Sequence, residues 1–257
     1  MEILWFKIIS LLVIFAAGLF GGLAPTKISL TPQGKRKLTL GNAFSGGVFL
    51  GAGLLHMLPD ARENFTAFAG DVAYPYVALI CGGGFLLVML LEKAVLGGSE
   101  DIGAMSKGRS VYPYLLCVIL SVHSIIVGTS LGLEASLVAS VGILVAILAH
   151  KWAAAFALGV SLRENGFSLS LHVRLICFFA LMAPLGVVLG TIFSALFSGK
   201  AALLFEAVFD ALAAGTFLYV ACADVMEEVF RKSGDNWRKV ILIICGFFLM
   251  ALIAIWT

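Results

Sequence analysis

Eight apolar runs follow one another along this chain of 257 residues: 4–24, 40–60, 73–95, 111–133, 136–161, 173–197, 201–224 and 238–256. Each is close to the roughly 20 residues that an α-helix needs to cross the hydrocarbon of a bilayer. Together they take up most of the chain, which predicts an all-α, polytopic membrane protein with eight transmembrane helices and a single domain over 1–257. A transmembrane β-barrel would need alternating apolar and polar positions in segments of about 10 residues, and stretches such as Gly82 to Leu91 do not alternate. Composition excludes a water-soluble fold: 61% of residues are hydrophobic and 12% charged, whereas soluble domains carry charge on roughly a quarter.

The charges gather in the connections, the longest being 26–39 and 96–110, while Glu134-Ala135 leaves only a tight hairpin between spans four and five. Thirteen lysines and arginines, among them Lys35, Arg36, Arg109, Arg174 and Lys232, fall in or beside odd-numbered connections, against three (Lys7, Arg62 and Lys200) on the other side. Cytoplasmic loops carry the excess of basic residues, so both termini are expected to be extracytosolic. The first run is long for a secretory signal peptide and its basic cluster follows it instead of preceding it, so it is kept as a span. A net charge of +2 with dispersed basic residues offers no field for nucleic acid. The five cysteines lie in apolar stretches without C-x-x-C spacing and read as packing residues.

Ionisable groups inside a span are expensive and point to function. Span two ends with His56, Met57 and Asp60; His56 and Asp60, at i and i+4, share a helix face near its outer end and could form an access pair of metal ligands. His123, with Ser124 beside it, is about eleven residues from either end of span four, near mid-bilayer. The hairpin at Glu134 makes span five antiparallel to span four, which brings His150 within about 7 Å of the depth of His123 at 1.5 Å per residue. Two neutral imidazoles at similar depth on adjacent helices suit a divalent transition metal. Lys151, next to His150, needs a carboxylate, a carbonyl or a water-filled cavity. Asp210 and Glu206 approach from the outer side of span seven, and Asp224 stands at its inner mouth. His172, near Arg174, reads as interfacial.

No enzyme motif competes. H-E-x-x-H and the G-x-x-x-x-G-K-[ST] phosphate loop are absent. One G-x-S-x-G string, Gly128 to Gly132, lies inside an apolar helical run, whereas a nucleophile elbow needs a strand-to-helix turn. Gly47/Gly51, Gly128/Gly132 and Gly186/Gly190 repeat the four-residue spacing that lets membrane helices approach closely. The expectation is transport without ATP, not catalysis.

With these residues in place the sequence resembles the ZIP family, the Zrt- and Irt-like transporters of divalent metals. Gly46 to Ala61 looks like that family's second-span motif, and His123-Ser124 with Gly128 like its fourth. His150-Lys151 with Phe156 to Gly159 is similar to the fifth, Pro184 to Gly186 to the sixth, and Asp210 with Ala213 to Val220 to the seventh. The resemblance implies eight helices with both termini outside and uptake of Zn²⁺, with Fe²⁺ or Mn²⁺ as alternatives, into the cytosol. The metal is cargo, and no cofactor is expected. The membrane expected is the plasma membrane, with an organelle membrane and a homodimeric assembly left open. Typical members carry glutamates where this chain has Val127 and Ala154, and two-metal members an acid where it has Ala183. Lys151 places it closest to the branch with His-Lys in the fifth span. Metal ligands are therefore expected at His56, Asp60, His123 and His150, with Met57, Ser124, Lys151, Asp210 and Asp224 auxiliary to the path. The competing reading is a non-transporting scaffold or metal sensor that has lost its acids.

Overall fold

The computed structural model describes residues 2–96, 112–193 and 200–256. Eight helices among them are long and apolar enough to cross a membrane: Glu2–Lys27, Pro32–Ala69, Tyr76–Lys93, Tyr112–Leu133, Leu137–Glu164, Leu169–Phe193, Lys200–Arg231 and Asn236–Ile253. No strand occurs among the described residues. Most of the connection at 96–110, with Lys107 and Arg109, lies outside them, as do residues 194–197 of the sixth apolar run.

The spans sort into two groups of four. Spans one, four, five and six pack on one another, as do two, three, seven and eight. Glycine explains the pairing, because within each group helix backbones come into direct contact. A Cβ on Gly128 would stand 2.2 Å from the Ala183 carbonyl oxygen and one on Gly186 2.2 Å from that of Ile125, a reciprocal seam between spans four and six. Gly47 and Gly246 form the same kind of seam between spans two and eight, facing the carbonyls of Ile243 and Phe44. Gly84 and Gly215 join three to seven, and Gly21 and Gly159 join one to five. In lipid, where apolar burial drives nothing, such close backbone approach is the main source of helix association. His172, in the first turn of span six, adds a polar tie: it is buried, its Nε2 2.9 Å from the Gly22 carbonyl oxygen of span one.

Two spans run well past the apolar runs that announce them. Span two begins at Pro32, not at 40, with the Thr31 hydroxyl accepting the Gly34 N–H at 3.2 Å. Its first turns are polar, so hydropathy does not count them. Past the expected end at 60 it continues to Ala69 through a π-helical turn, Gly53–Met57, closed by Leu58 N–H donating to the Gly53 carbonyl. A proline ring clashes with the carbonyl four residues back in an α-helix; the wider turn just before Pro59 lets the helix go on. Span seven has a second π turn, Val220–Met226, and ends at Arg231. The hairpin between spans four and five is as tight as expected: the Glu134 carboxylate accepts the Ser136 N–H at 2.6 Å and the Ser136 hydroxyl that of Ala139 at 3.4 Å. Among the cysteines, Cys81 and Cys117 are buried, but Cys222 and Cys245 are exposed, so the packing role holds for only part of the set.

Candidate metal path

Three of the four histidines meet where the two groups of helices face each other. His123 and His150, from spans four and five, have ring centroids 5.6 Å apart, and His56, from span two, lies 6.2 Å from His150. All three are buried. Phe217 of span seven completes the cluster, its ring centroid 4.1 Å from that of His123 and 5.8 Å from that of His150. His123 stands ten residues before the end of its helix at Leu133, at mid-span as expected. Neither of its ring nitrogens has a hydrogen-bond partner, although burying an unpaired polar atom ordinarily costs about 1–3 kcal/mol. His56 is carried by the π turn of span two, and its Nδ1 is 2.9 Å from Asp60 Oδ2, one helical turn on, without hydrogen-bond alignment.

A cavity of about 860 Å³ leads from the side of the Glu134 hairpin to His56 and Met57. Its walls carry Asp60, Glu63, Glu134, Glu206 and Asp210, against one cation, Lys7. Converging carboxylates against low-dielectric walls concentrate cations. The Lys7 ammonium is turned aside, donating to the Gly132 carbonyl at 2.5 Å at the end of span four. Val127 also lines this cavity, one turn beyond His123.

Not every candidate lies on this route. The Lys151 ammonium donates to Ser124 Oγ at 2.9 Å and to the Phe179 carbonyl at 3.1 Å, and lies 3.7 Å from the Phe179 ring centroid, within electrostatic reach of His123 and His150. A hydroxyl, a carbonyl and an aromatic face thus satisfy the ammonium, and Ser124 and Lys151 serve each other. Asp224 is far along span seven, in the second π turn, within electrostatic reach of Glu92, which accepts from Tyr219 Oη at 2.7 Å. Among the described residues, no three His, Cys, Asp or Glu side chains stand ready-made around one point for a metal. Phe217 and Lys7 were missed by the sequence reading. Phe217 falls inside the seventh-span motif, Ala213 to Val220, but an apolar ring there gives no sign of a site, and Lys7 counts in the sequence only as an outer charge.

Two helical groups with polar side chains gathered between them describe an integral, multi-pass membrane protein. The chain belongs to the ZIP zinc transporter family, whose model matches residues 4–105 and 96–254. It is 32% identical to mouse zinc transporter ZIP2, with 98% of each chain covered. It is 31% identical to human zinc transporter ZIP2 over 86% of each. Zebrafish (Danio rerio) zinc transporter ZIP1 is 28% identical, with 95% of this chain and 96% of the relative covered.

Proposed function

We propose that this protein carries Zn²⁺ across the membrane into the cytosol through one mid-membrane site formed by His56, His123 and His150. The observation that carries this reading is the convergence of three buried imidazoles, with both nitrogens of His123 unpaired. Neutral imidazole nitrogen binds Zn²⁺ at about 2.0–2.1 Å, so ring centroids 5.6 and 6.2 Å apart need only modest closure to share an ion. His56 belongs to one helical group and His123 and His150 to the other. A shift between the groups would make and break the site, as expected where substrate sits between repacking bundles. Asp60, Met57 and Asp210 line the approach, and Asp224 lies beyond the site toward the inner mouth. The absence of site carboxylates at Val127 and Ala154 favours weak binding and quick release.

Those two apolar residues also support the second reading, a scaffold that no longer transports. Uptake of radioactive zinc into proteoliposomes separates the two. A transporter loses most uptake in a His123→Ala/His150→Ala double variant; a scaffold shows no zinc uptake above empty liposomes even as wild type. Competing Fe²⁺ and Mn²⁺ in the same assay set the ion preference.

A further inference from the structure

At the end of span two remote from His56 lies a second cavity, of about 540 Å³. Spans two and eight start here side by side, at Pro32 and Asn236, and span five ends here at Glu164. Four cations line it, Lys35, Arg36, Lys232 and Lys239, with two carboxylates, Glu164 and Asp235. The carboxylates are already engaged. Arg36 grips Asp235 with two hydrogen bonds, one of 2.8 Å from Nη2, and holds its carboxyl below the ordinary aspartate value. Lys232 is held by Glu164 at 2.7 Å and by Glu228 at 3.0 Å. Lys35 and Lys239 make no ion pair among the described residues. Lys239 is only 2% exposed, and its ammonium has just the Lys232 carbonyl and, at 3.4 Å, Asn236 Oδ1 as partners. Asp235 is within electrostatic reach of this ammonium but is already gripped by Arg36, and a buried ammonium without an anion of its own is costly.

Two helix beginnings add to this charge. The positive ends of spans two and eight both lie at the cavity, and Asp235, the residue before span eight, gives that helix no side-chain cap. Depth narrows the choice of ligand. Pro32 precedes the apolar run at 40 by eight residues, about 12 Å of helix, and Trp237, in the first turn of span eight, is 77% exposed, as interfacial tryptophans are. The cavity therefore sits at the level of lipid headgroups.

We propose that this cavity binds a phosphate group, with Lys35 and Lys239 as its counter-charges. Headgroup depth favours the phosphate of an anionic lipid as the source, with soluble phosphate as the other. Native mass spectrometry of the full-length protein in detergent, with phosphatidylinositol phosphate or phosphatidylcholine added, tests it. Wild type should retain the phosphoinositide selectively. Lys35→Gln, an exposed change that leaves folding intact, should weaken retention about fivefold, the attraction of one cation near a headgroup. Lys37→Gln, on the same turn but outside the cavity, should change nothing. Inorganic phosphate alone, read by the thermal unfolding midpoint, separates the sources: a rise in wild type but not in Lys35→Gln assigns soluble phosphate, whereas lipid retention without such a rise assigns the lipid. Equal weakening by Lys35→Gln and Lys37→Gln, or neither lipid selectivity nor a thermal shift, would overturn the proposal.

Discussion

At the scale of single residues, the proposed transport rests on a few imidazoles and on two positions where an acid is missing. His123→Ala and His150→Ala should each lower zinc uptake in proteoliposomes by at least tenfold at unchanged protein level, because each removes a nitrogen ligand from a site without carboxylates. His56→Ala should cost less, since His56 also belongs to the approach. Val127 is one turn from His123 and lines the outer cavity, so Val127→Glu should put a carboxylate beside the imidazoles. Zinc binding at equilibrium should tighten about tenfold or more, and maximal uptake should fall as release slows. In a His56→Ala background at most one ion per chain is expected, held more weakly than in wild type, and two would sink the single-site reading. These residues were legible because lipid penalises every ionisable group, which makes a mid-span histidine conspicuous. The direction of Lys151 was not legible: neighbours along a helix differ by about 100° in heading, so adjacency to His150 says nothing of where the ammonium goes, and it went to Ser124 and Phe179.

At the scale of elements, the number of spans follows from run length alone, while their ends and interruptions do not. Residues 32–39 are too polar to register as membrane-spanning, yet they continue a helix. A π turn changes no composition, so neither Gly53–Met57 nor Val220–Met226 leaves a trace in hydropathy. Such turns concentrate at functional positions, and the first of them carries His56. Four-residue glycine spacing announces close approach without naming the partner helix. The partners make a direct test. Gly186→Val would drive side-chain atoms into the Ile125 carbonyl, since even its Cβ would lie 2.2 Å away, and overpacking of this kind costs about 1–3 kcal/mol or more. A clear drop in the thermal unfolding midpoint in detergent should follow. Gly83→Ala, where a Cβ meets nothing within 4 Å, should leave the midpoint within a degree or so of wild type.

At the scale of the whole molecule, charge asymmetry sets the orientation expected of the chain, and the seams assemble it. Tags on both termini should react with a membrane-impermeant reagent on intact cells, while cysteines placed at Gln33 and Gly234 should react only after the membrane is opened. Labelling of position 33 from outside would reverse the orientation and, with it, the direction of uptake proposed above. Within each group the helices meet backbone to backbone, glycine against carbonyl, a geometry in which Cα–H groups can approach carbonyl oxygens favourably. The outward side chains take no part in those seams: Leu12, Leu90, Val138 and Phe248, for instance, are all more than half exposed. The lipid-facing coat is thus free to drift in length and bulk while the scaffold beneath it stays the same. Descendants of this chain could be retuned to thicker or thinner bilayers, and so moved between compartments, by substitutions that never touch the interior.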